Sequence, residues 1–215
     1  MTPSREEMAR PRPAPPPPLV EWGDDALRSI FVRVPFVCHG NVRALCHRTR
    51  DLLRSPAFRE ERLESGCAEH AIVVAGGARD LRAIAECQLL TGGRWLSITP
   101  MSGPRSHACS VVLDGELWVL GGLGENNTFL QSVEVWNPQA NSWRSSPSFR
   151  EARCRHVGGV VGGSLVIAGG RGAREGDPLA SAEAFSPATG WTSLPSMPHA
   201  AQRATGVVLG GRLYV

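Results

Sequence analysis

Three tryptophans, Trp95, Trp143 and Trp191, recur at intervals of 48 residues. Gly115, Gly163 and Gly211 keep the same interval of 48. The diglycines Gly76-Gly77, Gly121-Gly122 and Gly169-Gly170 step by 45 and 48, and Glu86, Glu134 and Glu183 by 48 and 49. Four independent markers in phase define an internal repeat over residues 67–215. A chain repeating at this period is restricted to an array of like units.

Each unit reads as strands in a fixed order. In the second unit an apolar run, His107–Leu113, meets Asp114-Gly115 and then a second run, Glu116–Leu120. Asp-Gly between two apolar runs is a strong hairpin signal. Gly121-Gly122 closes the second run and the polar loop Leu123–Thr128 follows. A third strand covers Ser132–Trp136, Asn137-Pro138 opens a turn, and Trp143 lies on a fourth strand. Four strands per period is one blade of a β-propeller.

The order Gly-Gly, then a glutamate before an aromatic, then a tryptophan, resembles the kelch repeat. Its residues here are Gly121, Gly122, Glu134, Trp136 and Trp143, and Gly169, Gly170, Glu183, Phe185 and Trp191. The first unit, Gly76, Gly77, Glu86 and Trp95, departs by carrying Leu89 and Leu90 where an aromatic is expected. The resemblance implies structural roles for these glycines, glutamates and tryptophans. It implies a mainly β fold, a partial kelch β-propeller of about three four-stranded antiparallel blades plus the start of a fourth. Arg203–Val215 repeats the phase of His107–Val119. Three blades cannot close a ring, so the expectation is a fragment, or an open assembly completed by another chain.

The first 66 residues differ in texture. Residues 1–18 hold six prolines between Pro11 and Pro18, which suits a disordered leader. Residues 19–66 form a small α unit. Leu27, Ile30, Phe31 and Val34 fall on one helix face, with Asp24 and Asp25 at its start and Pro35 at its end. A second helix is expected from Asn41, with Val42, Leu45, Cys46, Thr49, Leu52 and Leu53 on its apolar stripe. Ser55-Pro56 stops it, and Ala57–Glu64 adds a short third turn.

This unit resembles an F-box in Asp24-Asp25-Ala26-Leu27, Ile30-Phe31, Val34-Pro35, Leu45-Cys46, Leu52-Leu53 and Ser55-Pro56-Ala57-Phe58. Trp22-Gly23 stands where that family has Leu-Pro, and Thr49 where it has tryptophan. The resemblance implies a substrate adaptor of a cullin–RING ubiquitin ligase. Leu27, Ile30, Phe31, Val34, Pro35 and Leu45 are the implied contacts with a Skp-type linker subunit, some of them serving the unit's own core instead. The blades would hold an unknown substrate protein. The alternative is a kelch-repeat interaction scaffold whose helical piece is the remnant of a BTB–BACK region.

Composition narrows the rest. No apolar run approaches the ~20 residues of a membrane span, and the first residues hold no apolar signal core. The expectation is a cytoplasmic or nuclear protein with no membrane partner. A net charge of +3 gives no case for nucleic acid. All 23 basic residues are arginine, either a coding bias or, in a ligase adaptor, the absence of a side-chain amine for self-ubiquitination. Cys38, Cys46, Cys67, Cys87, Cys109 and Cys154 lie far apart and read as small core residues.

Arg105 and Arg153 each stand ten residues before their turn glycine, and Arg155 and Arg203 eight before theirs. Equal phase predicts guanidiniums ringing one rim, suited to acidic or phosphorylated peptides. His107 and His156 sit at nearly equivalent strand starts and read as packing residues. No nucleophile–base pattern, metal motif or dinucleotide loop stands out, so neither catalysis nor a cofactor is expected.

Overall fold

The computed structural model describes residues 27–28, 31–32, 47–66, 71–173 and 177–215. The Pro-rich leader, Ile30, Val34, Pro35, Leu45 and the expected helix start at Asn41 lie outside these residues. Two compact units are distinguished, Met1–Glu69 and His70–Val215.

In the first unit, α1 (His47–Arg54) is followed at once by α2 (Pro56–Glu64). Ser55 is extended, and its hydroxyl accepts the Phe58 N–H at 3.2 Å. With Pro56 preset for the first helical position, this starts a full helix where the sequence suggests only a turn. Leu27, Phe31, Val32, Leu52, Leu53 and Phe58 bury one another. Thr49 is fully buried as well. Arg62 is buried and donates to the Val32 carbonyl at 2.6 Å.

The second unit is built from antiparallel meanders. One four-stranded sheet runs β6 (Cys109–Leu113), β7 (Glu116–Leu123), β8 (Phe129–Asn137) and β9 (Ser142–Ser146) in spatial order. Another runs β11 (Val157–Val161), β12 (Ser164–Ala168), β14 (Ala182–Ser186) and β15 (Gly190–Leu194). Before them lies a sheet of β1 (Ile72–Ala75), β4 (Cys87–Thr91) and β5 (Arg94–Ile98), and after them the hairpin β16 (Val207–Leu209) and β17 (Arg212–Tyr214). Two blades therefore have four strands among the described residues, and the first has three rather than the expected four. The short pairs β2 (Ala78–Arg79) with β3 (Arg82–Ala83), and β10 (Arg153–Cys154) with β13 (Arg171–Gly172), decorate the ends.

The repeat markers explain this geometry. Leu113 pairs with Glu116 across Asp114-Gly115, both residues at positive φ, the turn whose twist suits a two-residue hairpin. Gly121 sits at φ 57° where β7 breaks register, and a Cβ there would lie 2.6 Å from the Arg153 carbonyl oxygen. The diglycine thus admits the backbone of the next blade. Trp118, Leu120, Val133 and Val135 of one blade pack with Leu165, Ile167, Phe185 and Trp191 of the next. The Phe185 ring lies 5.4 Å from both Trp118 and Trp191. First strands meet first strands, β6 on β11 and β11 on β16, so the blades converge along these strands.

Candidate functional site

The meander puts the start of β6, the loop Gly124–Thr128 and the segment from Pro147 to Ala152 at one end of the blades. The Asp114-Gly115 hairpin lies at the opposite end. The four candidate arginines all belong to segments entering a first strand, but they divide into two kinds.

Arg105 and Arg153 are internal ties. Arg105 Nη1 donates to the carbonyls of Gly121 and Ser132, each at 3.1 Å, and Nη2 donates to Glu134 Oε1 at 2.6 Å. Arg153 repeats the pattern 48 residues on, with the carbonyls of Gly169 and Ser181 at 3.0 Å and Glu183 Oε1 at 3.2 Å. The Arg153 side chain is fully buried. Glu134 Oε2 also accepts the Ser102 N–H at 2.8 Å, and Glu183 Oε2 the Arg150 N–H at 2.9 Å. Every charge in these networks has a counter-charge, as burial demands. The expectation that Arg105 and Arg153 bind substrate is corrected: both are buried and committed to carbonyls and a carboxylate of the blade that each one enters. Glu86, the counterpart of Glu134 in the first unit, lies exposed and pairs with Arg79 at 3.7 Å.

Arg155 and Arg203 differ. Both lie at positive φ, 55° and 58°, as does His107 at 53°. These three share one phase, eight residues ahead of Gly163, Gly211 and Gly115. The Arg155 N–H donates to the His107 carbonyl at 2.9 Å, and the Arg203 N–H to the Arg155 carbonyl at 3.1 Å. A backbone ladder thus links three successive blades and turns its side chains into a cleft of about 440 Å³, lined by His107, Ala108, Arg155, His156, Arg203 and Ala204. Among the described residues no carboxylate pairs with Arg155 or Arg203. Arg155 Nη2 donates toward His107 Nε2 at 3.5 Å. Burial, then Arg155 and Arg203, hold the His107 pKa below its ordinary value.

Sequence reading pairs His107 with His156 as packing residues. The structure puts His107 in phase with the two arginines instead. The signal was its distance to Gly115, equal to that of Arg155 and Arg203 to their own glycines. His156 is one residue further on, buried against the Phe149 ring, with neither ring nitrogen hydrogen-bonded. Burial, with a smaller push from Arg153, lowers its pKa to about 3, so it is neutral near pH 7.

The linker-contact candidates fare differently. Leu27 and Phe31 are buried in the helical unit's own cluster, so they are core residues rather than a docking face. The other four lie outside the described residues. Cys87 and Cys154 are buried, and burial pushes both thiols up. Cys109 is pushed up to about 11 for the same reason. No group of three or more His, Cys, Asp or Glu among the described residues is placed to hold a metal ion. No described helix is long and apolar enough to cross a membrane.

The kelch motif model matches residues 104–150 and 152–198. Kelch-like protein 33 of Homo sapiens is 38% identical over 93 residues, covering 43% of this chain and 17% of that protein. An F-box/kelch-repeat protein of Arabidopsis thaliana is 28% identical over 172 residues, covering 76% of this chain and 45% of that protein. This chain spans less than half the length of these relatives. The second match covers more residues than His70–Val215 contains, so it runs into the helical unit. The solved structure of YjhT superposes with a TM-score of 0.56 at 20% identity, covering 66% of this chain and 54% of that one, which supports the fold. Residues 104–150 and 152–198 are thus two successive kelch motifs, built as four-stranded propeller-type blades.

Proposed function

We propose that this protein is the substrate-recognition adaptor of a cullin–RING ubiquitin ligase, its helical unit docking a Skp-type linker subunit and its blades holding the substrate protein. The observation behind this reading is the reach of the F-box/kelch match, which extends beyond the blades into the helical unit. An F-box protein of Arabidopsis thaliana, AFR, also covers 76% of this chain. Such an adaptor performs no bond chemistry and acts through proximity. Ile30, Val34, Pro35 and Leu45 are the proposed linker contacts, and the end of the blades bearing Arg155 and Arg203 is the proposed substrate face.

A second reading, a kelch scaffold with no ligase link, draws on Kelch-like protein 33, whose 38% identity covers only 43% of this chain. A pull-down of the linker subunit with the full chain separates the two. The adaptor reading expects capture that Ile30→Asp abolishes while the far-ultraviolet circular dichroism is unchanged. Absence of capture by the folded wild-type chain leaves the scaffold.

A further inference from the structure

Arg105 and Arg155 both enter a first strand from the same end, yet one is satisfied by a buried carboxylate and the other has none. The lining of the cleft at His107, Arg155 and Arg203 therefore holds two guanidinium cations beside an imidazole, and no acid. The charged groups facing His107 are Arg155 and Arg203, and His156 of the same cleft is neutral. His107 Nδ1 lies 3.2 Å from the Ser106 hydroxyl, which leaves Nε2 toward Arg155.

We propose that this cleft receives an oxyanion from the partner protein, a carboxylate or a phosphoester group held between Arg155 and Arg203, and that its binding is coupled to protonation of His107. Two guanidinium forks supply directed donors to such oxygens. Until the anion enters, the two cations oppose a third positive charge on His107. Once it enters, the repulsion is offset and Nε2 becomes a further donor to the anion. The anion-bound site therefore takes up a proton, and affinity rises as pH falls from the bound-state to the free-state pKa of His107. Each unit by which binding raises that pKa corresponds to about tenfold in affinity between the two pH limits. The inference rests on reading this end as the substrate face. The linker pull-down does not involve the cleft, so failure of one is separable from failure of the other.

The test follows the imidazole ring protons of the full-length protein by NMR, with His107→Asn to assign the signal. Sulfate and acetate serve as probes at constant ionic strength, because both stay almost wholly ionised between pH 6 and pH 8. The expected result is a raised His107 midpoint with at least one anion, and tighter binding of that anion at pH 6 than at pH 8. A larger response to sulfate assigns the natural group as a phosphoester, and a larger response to acetate assigns a carboxylate. The double variant Arg155→Asn, Arg203→Asn keeps residues tolerant of positive φ and should lose the response. An unchanged His107 midpoint with both anions, or a response persisting in the double variant, would overturn the proposal.

Discussion

A guanidinium buried among two carbonyls, a hydroxyl and a carboxylate is costly to remove, because the carboxylate stays behind. Arg153→Gln leaves Glu183 buried without its cation, and a loss of about 3–5 kcal/mol is expected in urea unfolding. Arg155→Asn leaves no buried counter-charge, so its effect on stability should stay within about 0.5 kcal/mol. Equal losses for the two variants would sink the division into ties and free cations. His156 gives a pH test. Its folded-state pKa, about 3, lies below the ordinary 6.5, so its neutral form stabilises the fold above about pH 6.5. That contribution is lost as pH falls toward 3. His156→Leu should therefore lose less stability between pH 7 and pH 4.5 than the wild type does, read by thermal melts across that range. The sequence places Arg105, Arg153, Arg155 and Arg203 in phase but does not say which turn inward. That depends on the left-handed backbone at Arg155 and Arg203, a conformation that arginine does not announce as glycine or asparagine would.

Among the elements, the three repeated tryptophans separate one sequence position from its three environments. Trp191 is 8% exposed and donates through Nε1 to the Pro147 carbonyl at 2.8 Å. Trp143 donates to the Thr99 carbonyl at 2.7 Å from a more open site. Trp95 is 52% exposed, with no preceding blade among the described residues. Replacement by phenylalanine should cost least at Trp95, about 1 kcal/mol at Trp143 and more at Trp191, ranked by denaturant midpoints. The 48-residue period made all three legible as strand markers. It could not rank them, because burial depends on what the neighbouring blade supplies. The helical unit was legible in its apolar stripes, Leu52 and Leu53 above all. The nine-residue length of α2 was not, since Ser55-Pro56 reads equally as a stop for one helix and a cap for the next. Ser55→Ala should lower the stability of that unit by about 1 kcal/mol, followed by helical circular dichroism on heating.

Over the whole β-rich unit, protection from exchange should follow burial of the strands. β7 and β14 are largely buried, whereas Val207, Leu209 and Tyr214 of β16 and β17 are at least half exposed. Hydrogen exchange should therefore be slowest in β7, β8, β12 and β14 and fast in β16 and β17. Uniform protection across all the sheets would contradict this gradient. The period and strand order were readable for the whole unit because each marker answers a local backbone need. The cleft was readable only in part, because it forms where three blades meet and no single repeat contains it.

The ties between blades also have a direction along the chain. Trp143 reaches back 44 residues to Thr99, and Trp191 reaches back 44 to Pro147. Glu134 reaches back to Ser102, and Glu183 to Arg150. Each of these partners has left the ribosome before the residue that seeks it. A nascent chain can accordingly fasten each blade as soon as its successor emerges, and none of these four bonds has to wait for segments still to be translated.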